Sequence, residues 1–351
     1  MTENHEALAT RTIVDVHSIE QELEEVRWKL RPEGQMDEAA EHAAAEARAS
    51  VLNLITVVTD ETELAGVAAV LDRLSTTNPS RTLILLAQED RAEDKLEARV
   101  SAQTRTESGH RVTTEEVLIH AHGQVSEHLA SLVTPLLIPD LPVMVWSPAR
   151  PDFDSRLFND LCELADRIVV DTDAGFERDD FPRLLEVARR DRARASIGDF
   201  NWARLIGWRH VAAQFFDMPG MLPRLAQMRG VAVSHGLDRS TAQARLLGGW
   251  VQSRLARAGI DVPVELRPDD SHDYEVSRLL LYTGGPGGQA RFGITREAGG
   301  RLSTEIRVGD QELGGRTVRL EPRPPEELLA IELTLPGHDV LYEEALAAAV
   351  R

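Results

Sequence analysis

Cysteine is nearly absent from this 351-residue chain, which contains only Cys162. A single thiol cannot form an intramolecular disulfide, and it excludes a zinc site built from several thiolates. Long apolar runs are also missing, since no stretch approaches the ~18 consecutive apolar residues that cross a bilayer. Residues 1–10 lack the basic and apolar regions of a secretory signal peptide. We therefore expect a cytoplasmic protein with no membrane-spanning segment.

Lysine is scarce as well, because Lys29 and Lys95 are the only two lysines among 39 basic residues. The others are arginine, which pairs bidentately with carboxylates and is common at protein interfaces. Codon bias in a GC-rich genome would explain the same excess, and both explanations stay open. The net charge of −19 repels a polyanion at long range, so we expect no nucleic-acid partner.

The length exceeds the usual span of one hydrophobic core, which predicts at least two domains. Before them, residues 1–48 form an acidic helical arm in our prediction. Apolar residues in this arm recur at i, i+4, i+7 and i+11, the spacing of an amphipathic helix. They are Ile19, Leu23, Val26 and Leu30. A second helix is predicted at 39–48.

Residues 49–195 alternate short apolar strands with helical patterns. Strands are predicted at 51–58, 82–87, 117–121, 143–147 and 167–171, and helices at 61–74, 125–133, 155–165 and 181–194. This alternation predicts an α/β domain with a mostly parallel, Rossmann-like sheet that is covered on both faces.

Residues 196–351 show a different pattern, in which helices precede strands at hairpin spacing. Helices are predicted at 202–216, 240–258 and 340–350, and strands at 262–267, 276–283, 290–295, 302–308 and 316–321. Glycine-rich turns separate several of these strands. The pattern predicts an α+β domain with an antiparallel sheet.

Motifs for catalysis or cofactor binding are not found in the sequence. The segment Gly284–Gly288 lacks the Lys-Ser/Thr pair of a phosphate loop and is better explained as a hairpin turn. No Gly-x-Gly-x-x-Gly follows an early strand. His120 and His122 lie on one strand face without an evident third metal ligand, and Cys162 fits a helix core. We therefore predict no catalytic residue, no metal and no cofactor.

Two short stretches are candidates for binding. In 78–81 a proline turn places Ser80 and Arg81 at the entry of a strand, where they could hold an anion. In 139–146 two prolines precede a short apolar strand that ends at Trp146. The structural alternatives are an ordinary turn and a core strand with a stiff loop.

The third candidate is 199–209, which is rich in tryptophan and arginine. Trp202, Arg204, Trp208 and Arg209 lie in this stretch, and both residue types are favoured at interface hot spots. We predict that these four residues, together with Trp146, contact a partner protein. The alternative is a helix buried between the two domains.

In order and spacing, these pieces resemble the glucose-6-phosphate dehydrogenase assembly protein family of actinobacteria and cyanobacteria. The pieces are Asn53-Leu54, 78–81, 136–146, 166–171 and 199–209. The resemblance implies a non-catalytic protein that binds glucose-6-phosphate dehydrogenase and promotes its active oligomer in the oxidative pentose phosphate pathway. Redox control is linked to the family, but one cysteine cannot form a dithiol switch, so such control would reside in the partner.

Two other functions remain open at this point. One is a metabolite sensor that binds a sugar phosphate or nucleotide in the crevice at the carboxyl ends of the parallel strands, with Arg81 as the anion contact. The other is an enzyme of sugar-phosphate metabolism. Ligand-induced stabilisation would favour the first, and turnover by the protein alone would favour the second.

Overall fold

The computed structural model describes residues 4–9, 16–29, 50–89, 93–107, 110–190, 195–284, 288–335 and 337–351. The chain divides into two compact units, each made of separate segments. The first unit comprises 1–170, 191–198 and 325–337, and the second comprises 171–190, 199–324 and 338–351. The sequence-based division, with boundaries at 48/49 and 195/196, stays a prediction.

Ten α-helices occur within the described ranges. They are α1 Val16–Lys29, α2 Glu61–Leu74, α3 Leu129–Val133, α4 Arg156–Leu164, α5 Asp180–Arg190, α6 Phe200–Arg204, α7 Ile206–Gln214, α8 Ala242–Arg257, α9 Pro325–Leu333 and α10 Val340–Ala349. The prediction for 61–74 is confirmed to the residue, and α9 was missed. The predicted helix at 39–48 and the last residues of the one at 181–194 lie outside the described residues.

The predicted amphipathic helices form for the expected reasons. In α1 the apolar side chains of Ile19, Leu23 and Val26 are buried. The start of α2 is capped by Asp60, whose carboxylate accepts a hydrogen bond from the Thr62 backbone N–H at 2.8 Å, as N-cap residues do. The buried face of α2 has helical spacing and consists of Val67, Val70, Leu71 and Leu74.

An eight-stranded sheet runs through the first unit. Its strands are β1 Asn4–Ala9, β2 Leu52–Val58, β3 Ser80–Gln88, β4 Lys95–Glu107, β5 His110–His122, β6 Val143–Ser147, β7 Arg167–Val170 and β8 Ser196–Asp199. Their order is β1-β4-β5-β3-β2-β6-β7-β8. Strands β5, β3, β2, β6 and β7 pair in parallel, whereas β1 and β4 add an antiparallel edge.

The predicted Rossmann-like parallel sheet is confirmed. Strand β3 is buried from Ser80 to Ala87, as expected for a strand covered on both faces. Along the sheet, β5-β3-β2-β6-β7-β8 follows the 3-2-1-4-5-6 order of doubly wound nucleotide-binding folds. The direction of winding reverses between β2 and β6, and this reversal creates a crevice at their carboxyl ends.

The second unit contains a seven-stranded sheet among its described residues. Its strands are β9 Met228–Gly236, β10 Val264–Asp269, β11 Arg278–Thr283, β12 Ala290–Glu297, β13 Arg301–Val308, β14 Gln311–Gly314 and β15 Thr317–Arg319. The order is β10-β9-β11-β12-β13-β14, and β15 also pairs with β13. Residues 285–287 of the predicted hairpin turn lie outside the described part, and β11 and β12 on either side of it pair antiparallel.

The second sheet is antiparallel at most of its strand pairs, as predicted, with one parallel pair in addition. Strands β9 and β10 pair in parallel and are connected through α8, so the sheet is mixed. Strand β9 escaped detection because Arg229, Gly230 and Ser234 interrupt its apolar sequence and obscure its period of two. Without β9, the sequence pattern shows only helices followed by closely spaced strands. Strands joined by short turns are antiparallel, because a parallel pair needs a long crossover connection.

The predicted single helix at 202–216 is divided in the structure. Helices α6 and α7 meet at Leu205, which ends the first and begins the second. A short 3₁₀ turn, Phe215–Asp217, follows α7. No helix among the described residues combines the length and apolar character needed to span a lipid bilayer.

Candidate functional site

The segment 199–209 of the second unit begins at a buried carboxylate, Asp199. Its Oδ1 accepts hydrogen bonds from the backbone N–H groups of Asn201 at 2.9 Å and Thr172 at 3.2 Å. Its Oδ2 accepts from the Thr172 hydroxyl at 2.8 Å and from the Tyr342 hydroxyl at 3.3 Å. Asp199 thus caps α6 and connects three separate segments of this unit.

The protonation of Asp199 is sensitive to pH near neutrality. Complete burial raises the pKa of its carboxyl to about 7, and the nearby negative charge of Asp171 acts in the same direction. Hydrogen bonds from Asn201 and Thr172 oppose this rise, because they stabilise the carboxylate. The four contacts of Asp199 therefore hold a group that gains its charge close to pH 7.

Arg204 is paired within the chain. Its two terminal nitrogens donate to the two oxygens of Asp171 at 2.7 and 2.8 Å, the bidentate geometry that favours arginine over lysine. It also donates to the Asn201 side-chain oxygen at 2.8 Å. Close by, burial and the charge of Asp171 raise the pKa of the Asp173 carboxyl. Arg204 therefore organises an acidic cluster and is only partly exposed.

The two tryptophans of this segment are interior residues. Trp202 and Trp208 are each 2% exposed, and the Trp202 ring N–H donates to Asp339 at 2.7 Å. The Arg209 guanidinium lies 3.4 Å from the centre of the Trp202 ring and donates to the Trp202 carbonyl oxygen at 3.0 Å. Of the four residues in this segment that were assigned to a partner surface, Arg204 and Arg209 are the two that reach solvent in part. The assignment itself stays a prediction.

Trp146 and the proposed anion contact belong to the first unit. Trp146 is buried in β6, opposite Thr56 of β2 and Val169 of β7. Its place matches the core-strand alternative stated above. Its assignment to a partner surface also remains untested.

Arg81 lies at the amino end of β3 and is 7% exposed. Its Nε donates to Glu115 at 2.9 Å, and one terminal nitrogen donates to the Leu136 carbonyl oxygen at 2.6 Å. Ser80, also buried, places its hydroxyl 3.0 Å from that of Thr82. The crevice is at the carboxyl end of the strands, so Arg81 is at the wrong edge to serve it. The surroundings of Ser80 and Arg81 give no support to an anion contact.

Several side chains of α7 and the turns after it are exposed to solvent, and the sequence analysis did not identify them as candidates. Ile206, His210 and Ala213 share the solvent-facing side of α7, and Met218 and Leu222 follow it. We call these five residues the α7 edge. Their spacing of i, i+4 and i+7 is a helical signal, but the more conspicuous tryptophans of the same segment obscured it.

Side chains that could bind a metal ion are scattered in the described part of the chain. Within the described ranges, no group of three or more His, Cys, Asp or Glu side chains could hold a metal ion. His120 and His122 place their Nε2 atoms 2.6 Å apart, and burial lowers the pKa of His120. Cys162 is half-buried in α4.

Two family models match the chain in succession. The first, described as the N-terminal domain of a glucose-6-phosphate dehydrogenase subunit, matches residues 71–189. The second is described as the C-terminal domain of the same kind of subunit, and it matches residues 195–346. The two matches follow each other in the order that their descriptions require.

The curated relatives are named for the OxPP cycle. "Putative OxPP cycle protein OpcA" of Synechocystis sp. is 26% identical over 315 residues, which are 80% of this chain and 65% of that protein. A protein of the same name from Nostoc punctiforme is 24% identical over 322 residues, 80% of this chain and 67% of that protein. The chain thus spans about two thirds of the length of these relatives. Among solved structures, the transcriptional regulator Gal80p of Kluyveromyces lactis aligns with 90% of this chain and 94% of its own, at a TM-score of 0.45 and 8% identity.

Proposed function

The chain belongs to the glucose-6-phosphate dehydrogenase assembly protein family, and we propose that it binds glucose-6-phosphate dehydrogenase and promotes its active oligomer without catalysing a reaction. The observation that supports this most directly is the pair of consecutive family matches, since both are described as domains of a glucose-6-phosphate dehydrogenase subunit. The curated relatives add the link to the OxPP cycle.

A non-catalytic assembly protein acts through binding free energy. It shifts the dehydrogenase toward one state only if it makes more favourable contacts with that state than with the alternative. A rigid surface suits this role, because little conformational entropy is lost when it binds. In our proposal the second unit supplies such a surface.

The α7 edge is the part of the second unit that we assign to the dehydrogenase. Ile206, Met218 and Leu222 are exposed apolar side chains, and the partly exposed Arg204 and Arg209 flank Ile206 in the sequence. Trp202 and Trp208 of the same two helices are buried in the core. Apolar residues bordered by arginine are typical of interface centres.

The first experiment is a titration of the cognate dehydrogenase with this protein, with activity and complex mass measured together. We expect a larger complex and either a higher kcat or a lower KM for the substrate. Two folded proteins that form no complex and leave the kinetics unchanged would contradict the proposed function.

The second experiment tests the surface and uses two leucines of equal exposure. Leu222 in the α7 edge is 62% exposed, and Leu237, which lies elsewhere in the second unit, is 61% exposed. We expect Leu222→Glu to weaken binding at least about tenfold, or about 1.4 kcal/mol, and Leu237→Glu to bind as the unaltered protein does. Normal binding by both variants would show that the dehydrogenase contacts another surface.

A further inference from the structure

The first unit contains a cavity of about 480 Å³ at the carboxyl ends of β2, β3 and β6. Its volume lies within the range of roughly 300–1,000 Å³ that is usual for small-molecule sites. Helix α4 closes one side, where Phe158 and Leu161 face the cavity, and Val57 and Val145 line the sheet side. The walls are therefore mainly apolar.

The cavity lies at the point where the sheet reverses its winding. Strands β2 and β6 are neighbours and pair in parallel, but the chain proceeds from β2 toward β3 and β5 on one side and from β6 toward β7 on the other. The connections that leave the two carboxyl ends diverge, and this opens a crevice in which open α/β sheets bind ligands.

The turn after β2 disfavours ligands that carry a phosphate. Nucleoside diphosphates and dinucleotides bind such crevices through a glycine-rich turn and the N-terminus of the following helix, where the helix dipole is positive. Here the helix end is occupied by Asp60, which accepts from the Thr62 N–H, and Glu61 and Glu63 lie in the first turn of α2. Three carboxylates would repel a phosphate at this position.

Asp60 is ionised at neutral pH. The pKa of its carboxyl is lowered because the backbone N–H and the side chain of Thr62 donate hydrogen bonds to it. The negative charge at the start of α2 is thus a stable property of the turn.

The polar side chains of the cavity suit hydroxyls and a planar ring better than a phosphate. They are Thr59, Gln88, Glu89, Ser147, Arg150, Asp152 and Ser155, so that two carboxylates outnumber the one guanidinium. A carboxylate accepts hydrogen bonds from two neighbouring hydroxyls, as on a ribose, and an amide pairs with the edge of a heterocycle. Apolar walls bury the faces of such a ring.

We propose that this crevice binds an uncharged nucleoside and discriminates against its phosphorylated forms. The site is separate from the α7 edge, and the proposal does not depend on the proposed function. It differs from the sugar phosphate or nucleotide sensor considered from the sequence, because acidic residues stand where a phosphate would bind and Arg81 is at the opposite edge of the sheet.

The test uses the full chain, with adenosine as the probe and ADP and NADP⁺ as the phosphorylated comparisons. Calorimetric titration and thermal unfolding measure affinity and stabilisation. We expect adenosine to bind and to raise the Tm, and ADP to bind at least about tenfold more weakly. No adenosine binding at millimolar concentration, or tighter binding of ADP or NADP⁺, would overturn the proposal.

Three variants locate the binding. Ala149 lines the cavity and is half-buried, so Ala149→Phe should weaken adenosine binding at least about tenfold. Ala68→Phe, at a half-buried alanine of α2 outside the cavity lining, is the matched control. Glu89→Gln removes one ribose acceptor without changing side-chain size and should weaken binding several-fold, which keeps the test valid if Ala149→Phe does not fold. Unchanged affinity in Glu89→Gln and in a folded Ala149→Phe would place the adenosine elsewhere.

A fourth variant tests the discrimination itself. Asparagine caps helices as well as aspartate does, so Asp60→Asn removes the charge and keeps α2 capped. We expect the affinity for ADP to rise several-fold while that for adenosine stays the same. An unchanged ratio of the two affinities would refute the role of the acidic turn.

Discussion

Replacing Asp199 with asparagine should alter the pH dependence of stability in a defined way. Asparagine has the shape of a protonated aspartate, so its carbonyl oxygen can still accept from the Asn201 and Thr172 N–H groups. Its amide can donate toward the Thr172 or Tyr342 oxygen, as a protonated carboxyl would. The substitution therefore imitates the neutral form of Asp199 and prevents ionisation.

The magnitude follows from the raised pKa. The carboxyl titrates near 3.8 in the unfolded chain and at about 7 in the folded one, a difference of about three units, or about 4 kcal/mol at roughly 1.4 kcal/mol per unit. The favourable contribution of the neutral group is complete below the unfolded value and is lost as the pH rises through about 7. Between pH 5 and pH 8 the expected loss is about 2–3 kcal/mol.

The assay is urea unfolding of the wild-type protein and Asp199→Asn at pH 5 and pH 8. We expect the difference in unfolding free energy between them to change by about 2–3 kcal/mol in favour of the variant at pH 8. Asp60→Asn is the control, because the pKa of that exposed cap is lowered and removal of its charge gives no gain at high pH. The same pH dependence in the wild-type protein and Asp199→Asn would show that Asp199 is already ionised across this range.

Two further predictions concern buried side chains and are measured by chemical denaturation. Trp208→Ala should cost about 3–5 kcal/mol, as removal of a fully buried aromatic does. Arg209→Ala should cost only about 1–2 kcal/mol, because it removes one cation–π contact with Trp202 and one hydrogen bond to its carbonyl oxygen. Equal losses would contradict the interior placement of Trp208. Glu332→Ala should cost about 3–5 kcal/mol, because it leaves the buried Arg167, now paired with it at 2.6 Å, without its counter-charge. Replacing both partners with apolar residues should restore most of that loss, and a double variant as unstable as Glu332→Ala would refute this explanation.

Local patterns predicted the elements that depend on local causes. Helix α2 was identified to the residue because its cap and apolar spacing are both local signals. Strand β6 was likewise identified at 143–147, since its apolar run has prolines before it. The parallel sheet followed from the alternation of such strands with helices.

The elements that were missed depend on distant partners. Strand β4 is polar along most of its length and is defined by pairing with β5. Strand β9 contains Arg229, Gly230 and Ser234, and its position between β10 and β11 gives it a parallel neighbour on one side and an antiparallel one on the other. Pairing of this kind comes from contacts that no short window contains.

For the candidate site, too, local sequence predicted one part and distant contacts decided the other. The sequence alone singled out 199–209, because tryptophan and arginine are concentrated there, and it supported the resemblance to the assembly family. Whether a tryptophan lies in a core or at an interface is not a local property, since the same large apolar surface suits both.

By itself, then, the sequence determined the alternation that produces a Rossmann-like sheet, the absence of familiar catalytic motifs and the family resemblance. Only the tertiary structure decided which side chains are accessible. Trp202 is buried, and Asp339, 137 positions away, accepts the hydrogen bond of its N–H. Arg81 is paired with Glu115, which lies beside it. Long-range contacts of this kind bury the tryptophan and arginine residues that stand out in the sequence. Apolar residues that the sequence does not single out, such as Leu222 and Ile206, are exposed instead.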